Sequence, residues 1–153
     1  MINELNFNLK VIDYFERGGC FSHLLNLSQD EVNDLYAHGT FLFKKKNFTA
    51  SRNVFFLLNW LEHHNFEYTL MLGLNEYHLD KINDALMCFL RCATILMRDP
   101  RSSYYAGLCY IKLNKRNLSI KALNTCIYLS NRKQDQIFRI SAEKLLKQLT
   151  KYK

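Results

Sequence analysis

The stretch GLNEYHLDKINDALMCFLRCATILMRDPRSSYYAG, residues 73–107, decides how this chain is read. It begins and ends on glycine, at Gly73 and Gly107, and Gly39 stands the same 34 residues upstream. Other columns keep this register. Twelve residues after each glycine come small side chains, Ser51, Ala85 and Ser119. Sixteen after come Phe55, Phe89 and Leu123, all large and apolar, and nineteen after come Leu58, Cys92 and Cys126. Columns that agree in size and polarity over three cycles mark a repeated structural unit.

A period of 34 residues with small and large-apolar columns is the tetratricopeptide pattern, a stack of antiparallel helix pairs. Glycine lets the first helix of each pair (helix A) approach the second (helix B), and the small column does the same from helix B. The Phe55 column then fills the gap between neighbouring pairs. One hairpin cannot bury its apolar face alone, so hairpins stack. Helix-end signals agree. Ser28 with Glu31 reads as a capping box, and Lys44-Lys45-Lys46 suits a helix C-terminus. Asp99-Pro100 is a cap followed by a first-turn proline, and Asn65, Asp80 and Asn114 mark other turns. These signals predict helices over about 8–17, 29–45, 48–63, 66–79, 82–98, 100–113, 117–130 and 133–150. The predicted fold is all-α, with three hairpin repeats in a superhelical stack over residues 28–133. An N-terminal helical segment, 1–27, whose apolar surface either folds back as a cap or packs against another chain, precedes the repeats, and a C-terminal capping helix, 134–153, follows them.

Composition narrows the function classes. With 153 residues, 48% apolar and 23% charged, the chain has the make-up of one globular domain. Its net charge of +7 is uneven. Residues 1–43 hold two basic and six acidic side chains, residues 44–100 seven and six, and residues 101–153 twelve and two. The last third is therefore at +10, but its cations are dispersed as on a solvated helix face. It carries no recognised nucleic-acid module, and nucleic acid is not an expected partner. Met1–Lys10 has no signal-peptide pattern, and no apolar run reaches the roughly 18 residues of a membrane span. Neither export nor direct membrane insertion is expected. The five cysteines (Cys20, Cys88, Cys92, Cys109, Cys126) lack CxxC spacing and read as buried thiols.

No catalytic residue, metal site or cofactor is expected. There is no phosphate loop, GxSxG or HExxH. His63-His64 reads as a cation pair closing a helix, and Glu76, Asp80 and Asp84 read as exposed carboxylates around a turn. A binding groove remains. In a tetratricopeptide stack the A helices line the concave face, and their outward positions lie −6, −3, +1, +4 and +5 from each glycine. Here these are Asn33, Tyr36, Thr40, Phe43 and Lys44; Glu67, Leu70, Leu74, Tyr77 and His78; and Arg101, Tyr104, Leu108, Ile111 and Lys112. The inner three of each set are mostly apolar or aromatic, which suits an extended segment docked through side-chain pockets. Leu74 and Leu108 also read as inter-repeat core. Modules that clamp the acidic C-terminus of heat-shock proteins place Lys and Asn where this chain has Tyr36 and Thr40, so that function is not expected.

Tyr14-Phe15-Glu16-Arg17-Gly18-Gly19, Leu72-Gly73-Leu74 before Asp84-Ala85, and a basic amphipathic helix over Ala142 to Leu149 carry a resemblance, over nearly the whole chain, to the class II type III secretion chaperones. Its most specific piece is Asp99-Pro100-Arg101 followed by Tyr105-Ala106-Gly107-Leu108-Cys109-Tyr110. The resemblance implies a small chaperone of the bacterial cytoplasm that keeps hydrophobic translocator proteins soluble, unassembled and competent for export. It implies cargo contacts at Tyr36, Thr40, Phe43, Leu70, Leu74, Tyr77, Tyr104, Leu108 and Ile111. It also implies a homodimer in the absence of cargo, through an N-terminal region in which Leu9, Ile12, Tyr14, Phe15, Phe21 and Leu24 are the candidates. Family members are often acidic or near neutral, and the basic last third departs from them. The repeats taken without this likeness indicate a generic interaction scaffold or regulator.

Overall fold

The computed structural model describes residues 25–151 together with Tyr14, Arg17, Gly19 and Ser22. Seven α-helices fall within 25–151: α1 (Gln29–Lys44), α2 (Phe48–Leu61), α3 (Phe66–His78), α4 (Ile82–Ile95), α5 (Pro100–Lys112), α6 (Arg116–Leu129) and α7 (Gln136–Lys151). No strand occurs among the described residues. Successive helices pack on one another, so α1/α2, α3/α4 and α5/α6 form three hairpins and α7 lies against α6 and α5. The all-α hairpin stack expected from the repeat is what the chain forms.

The repeat columns show how. Phe55, Phe89 and Leu123 are each 0% exposed and seat on the glycine of their own hairpin. A methyl group added at Gly73 would lie 2.7 Å from the Phe89 ring and 2.9 Å from Cys88 Cβ, and one at Gly107 would lie 2.9 Å from Leu123. Two of these side chains also reach the next hairpin, while Leu123 clusters with Ala142 of α7. Phe55 clusters with Tyr68 and Leu72 of α3, and Phe89 clusters with Ala106 and Cys109 of α5. Burying one such side chain contributes roughly 1.5–3 kcal/mol. In the small column, Ser51 Oγ donates to the Gly39 carbonyl at 3.0 Å and Ser119 Oγ to the Gly107 carbonyl at 3.1 Å. Both bonds tie helix B to helix A where they are closest.

The hairpin turns repeat as well. Lys46, Asp80 and Asn114, again 34 apart, hold left-handed φ of 60°, 60° and 57°. Each ends its A helix with paired backbone bonds. Lys46 N–H donates to Phe43 and Asn47 N–H to Leu42, with equivalent bonds at Asp80/Lys81 and Asn114/Lys115. This is the Schellman closure, which satisfies the last carbonyls of the helix. Asp and Asn tolerate that conformation better than lysine does. Asn47 then caps α2 through its side chain, accepting from Ala50 N–H, whereas Lys81 and Lys115 make no such bond.

Several helices are shorter than predicted. Glu62 and Leu96 leave the helical region (φ −133° and −138°), so α2 ends at Leu61 and α4 at Ile95. His63-His64 therefore lies in the following turn and does not close a helix. Burial, then the neighbouring His64 and Arg91, push the His63 pKa down, which is the opposite of a cation site. The last predicted helix starts as a 3-10 turn, Lys133–Asp135, before α7. Lys46 falls beyond α1, so only Lys44 occupies its last turn. Glu76 is not an exposed turn carboxylate. It is 3% exposed and accepts from Arg52 Nε at 2.7 Å, because its position on α3 faces α2.

At the N-terminus, Gly19 N–H donates to the Tyr14 carbonyl at 2.9 Å, and a Cβ at Gly19 would lie 2.1 Å from the Tyr14 ring. The other predicted dimerisation residues, Leu9, Ile12, Phe15, Phe21 and Leu24, lie outside the described residues, as does Cys20. Cys88, Cys92, Cys109 and Cys126 are free, and burial raises their thiol pKa values to about 11 or 12. They behave as small apolar side chains.

Two substitutions test this account in urea unfolding. Gly73→Ala gains helix propensity but forces the Phe89 ring aside, and a net loss of about 1–3 kcal/mol is expected. Lys46→Gly relieves the left-handed turn, and a gain of about 1 kcal/mol is expected. A neutral Gly73→Ala would mean that the helices are not held at their closest approach there.

Candidate functional site

The A helices α1, α3 and α5 lie side by side, and cross-links between them define the groove they line. Tyr36 of α1 sits 5.6 Å from Tyr68 of α3 and edge-on to Phe55 at 5.8 Å. Phe43 of α1 meets the His78 ring of α3 at 5.6 Å, and Phe48 stacks flat on the same ring at 4.3 Å. Lys112 of α5 sits over the Tyr77 ring at 4.5 Å and donates to Asp80 at 2.9 Å. Arg101 of α5 reaches back to Glu67 of α3 through both terminal nitrogens, at 3.1 and 2.7 Å, while also bonding Asp99.

Within this frame the predicted groove residues divide. Tyr36, Phe43, Leu74, Tyr77, Leu108 and Ile111 are half-buried. Thr40 is also half-buried, but its hydroxyl donates to the Ala37 carbonyl at 2.8 Å. Leu70 is 4% exposed and belongs to the core with Phe66, Ala85 and Phe89, so its side chain offers no groove surface. Leu74 and Tyr77 pack against that core along one edge. Tyr104 turns toward the C-terminal end, with its ring 5.5 Å from Phe138 of α7 and part of the cluster formed by Leu123, Cys126 and Ala142. The capping helix therefore borders the groove at its third repeat.

The rims differ from each other. At the −6 positions Glu67 and Arg101 are joined, and Arg101 also lies 4.7 Å above the Phe66 ring. Burial works against the Arg101 charge, but the bonds to Asp99 and Glu67 outweigh it and raise its pKa. At the +5 positions stand Lys44, His78 and Lys112. Tyr36 and Tyr77 have raised pKa values, chiefly from burial, so their phenols stay protonated and able to donate. Tyr68, Phe48 and Phe138 were not anticipated as neighbours of the groove. The Glu67–Arg101 pair was readable in principle, since opposite charges 34 residues apart fall on facing positions of adjacent A helices.

No group of three or more His, Cys, Asp or Glu side chains among the described residues is placed to hold a metal. No described helix is long and apolar enough to cross a membrane. The groove offers apolar contact, tyrosine hydroxyls and rim charge, a combination fitted to binding a peptide segment.

No protein-family model matches the chain, and no curated protein matches it in sequence. Solved structures do match in fold. A type III secretion system complex from Aeromonas hydrophila shares 18% identity at a TM-score of 0.90, covering 93% of this chain and 95% of that one. Pseudomonas aeruginosa PcrH, in complex with the chaperone binding region of PopD, shares 22% at 0.79, covering 81% and 94%. The translocator chaperone SycD of Yersinia enterocolitica shares 18% at 0.80, covering 84% and 97%. SycD is also known in an alternative dimer and with a peptide of the translocator YopD. The chain thus has the fold of the type III secretion translocator chaperones.

The histidines give this region a pH dependence. Burial and the nearby Lys112 lower the pKa of His78, and burial lowers that of His63, from an ordinary 6.5. As pH falls through that value the unfolded chain takes up protons first, so folded-state stability is lost below it. Thermal unfolding is expected to show a lower midpoint at pH 5.5 than at pH 7.5, and His63→Asn with His78→Gln is expected to flatten the difference. An equal drop in the double variant would assign the effect elsewhere.

Proposed function

We propose that this chain is a chaperone of type III secretion translocator proteins, acting in the bacterial cytoplasm. It holds an extended segment of the hydrophobic cargo in the A-helix groove, so that the cargo stays soluble, unassembled and competent for export. The observation that carries the reading is the set of half-buried residues Tyr36, Phe43, Leu74, Tyr77, Leu108 and Ile111 on the A helices of three hairpins. That set lies on a fold shared with PcrH, which binds the chaperone binding region of PopD.

The physics suits such a cargo. Each apolar side chain seated in the groove contributes roughly 1.5–3 kcal/mol. The protonated tyrosines offer donors to an extended backbone whose own hydrogen bonds are unmade. The chain acts by binding rather than by catalysis, and in the absence of cargo it pairs as a homodimer through its N-terminal region.

Co-expression with candidate translocators is expected to raise their soluble yield. Tyr77→Glu and Ile111→Glu are each expected to cut cargo affinity about tenfold or more, a loss of at least ~1.4 kcal/mol, with helicity by circular dichroism unchanged. Binding only to folded domains, without rescue of insoluble cargo, would favour the generic scaffold instead.

A further inference from the structure

A second recessed site lies outside the groove, at the carboxyl ends of two B helices. Between the end of α4 and the end of α6 is a cleft of about 470 Å³, walled by Leu96, Tyr128 and Leu129 and flanked by Arg98 and Arg132. This is within the size range of ligand pockets. Large apolar side chains stand exposed around it: Leu96 at 47%, Met97 at 77% and Tyr128 at 83%. Its carboxylates are already engaged. Asp99 accepts from Arg101 at 2.9 Å, and Asp135 accepts from Arg132 at 2.8 Å. Arg98 makes no ion pair among the described residues. One wall of the cleft, Tyr128 to Arg132, comes from the third of the chain that carries +10.

The repeat shows what differs at this junction. At the equivalent place between the first and second hairpins, Arg91 extends from α4 and donates to the His63 carbonyl, bridging the gap. One period later the position is Thr125, whose hydroxyl is spent on the Lys121 carbonyl at 3.0 Å. Thr125 is too short to span the junction, and Met97, the counterpart of His63, is left exposed.

We propose that this cleft is a docking site for an acidic segment of a partner protein, one that inserts a large apolar side chain between Leu96 and Tyr128. The apolar walls take the anchor. Arg98 and the outer side of Arg132 pair with its flanking carboxylates, in bonds that charge strengthens. The two arginines stand at a recess and form no stripe, which suits a peptide better than the regular phosphates of nucleic acid. The site is distinct from the A-helix groove and adjoins its rim through the Asp99–Arg101 pair.

The test uses the full-length chain, isotope-labelled, titrated with a short peptide of Asp and Glu around a central Tyr-Leu pair. Amide shifts are expected at 96–99 and 128–132, with Tyr77 unmoved. Arg98→Glu, Tyr128→Ala and Thr125→Arg, which copies the closed junction, are each expected to weaken binding by about tenfold or more. Arg98→Glu and Tyr128→Ala keep the test valid if Thr125→Arg does not fold. The proposal is overturned if the peptide fails to bind up to roughly 1 mM, or if its shifts map to the A-helix groove. Equal binding by a peptide with Ser in place of the acidic residues overturns it too. So does tighter binding of a single-stranded oligonucleotide at the same amides, or conversion of a self-associated chain to monomer by Tyr128→Ala, which would make a second copy the occupant.

Discussion

Everything in this fold depends on how closely each A helix approaches its B helix. At Gly39, Gly73 and Gly107 no side chain separates the backbones, and a large apolar group from helix B occupies the space above the glycine. That group then touches the next hairpin, or α7 in the case of Leu123, so one contact sets both the width of a hairpin and the spacing of the stack. The interior is close-packed, and steric room at these three points is the limiting quantity. The serine bonds at Gly39 and Gly107 strengthen two of the three approaches, while Ala85 leaves the middle one to packing alone.

The groove is a by-product of that spacing. With hairpins at a fixed distance, the A helices present equivalent positions to one another, and pairs form between them. Glu67 and Arg101 close one rim, and Lys112 over Tyr77 sets part of the other. What remains is a set of half-buried aromatic and aliphatic side chains with little free charge at its centre. Under the function proposed above, such a surface would read side-chain shape along an extended chain with few sequence-specific polar contacts.

The fold was legible because its determinants are side-chain sizes at fixed spacing, and Gly73, Ala85 and Phe89 display those directly. Helix ends were less so. The departure of Glu62 and Leu96 from helical angles has no strong residue signal, and Lys46 adopts a left-handed turn that lysine does not advertise. Within the groove, a column shared with two tyrosines suggested that Leu70 faces outward. The shorter leucine instead sinks among Phe66, Ala85 and Phe89. The burial of Glu76 has no such signal, because its partner, Arg52, lies on another helix in no repeating column. Long-range pairing of that kind is set by the assembled stack, and local pattern carries no trace of it.

The turns have a mechanical consequence. Within each hairpin a single left-handed residue separates the cap of one helix from the cap of the next: Lys46 between Lys45 and Asn47, Asp80 between Leu79 and Lys81, Asn114 between Leu113 and Lys115. Such a joint is fully hydrogen-bonded and has almost no slack. Between hairpins the caps stand further apart, from Glu62 to Asn65 and from Leu96 to Asp99. The stack is therefore a set of tightly closed hairpins coupled by two longer connections, each spanned by side-chain ion pairs. Arg91 bolts the first of these connections through the His63 carbonyl, and Arg101 bolts the second by holding both Asp99 and Glu67.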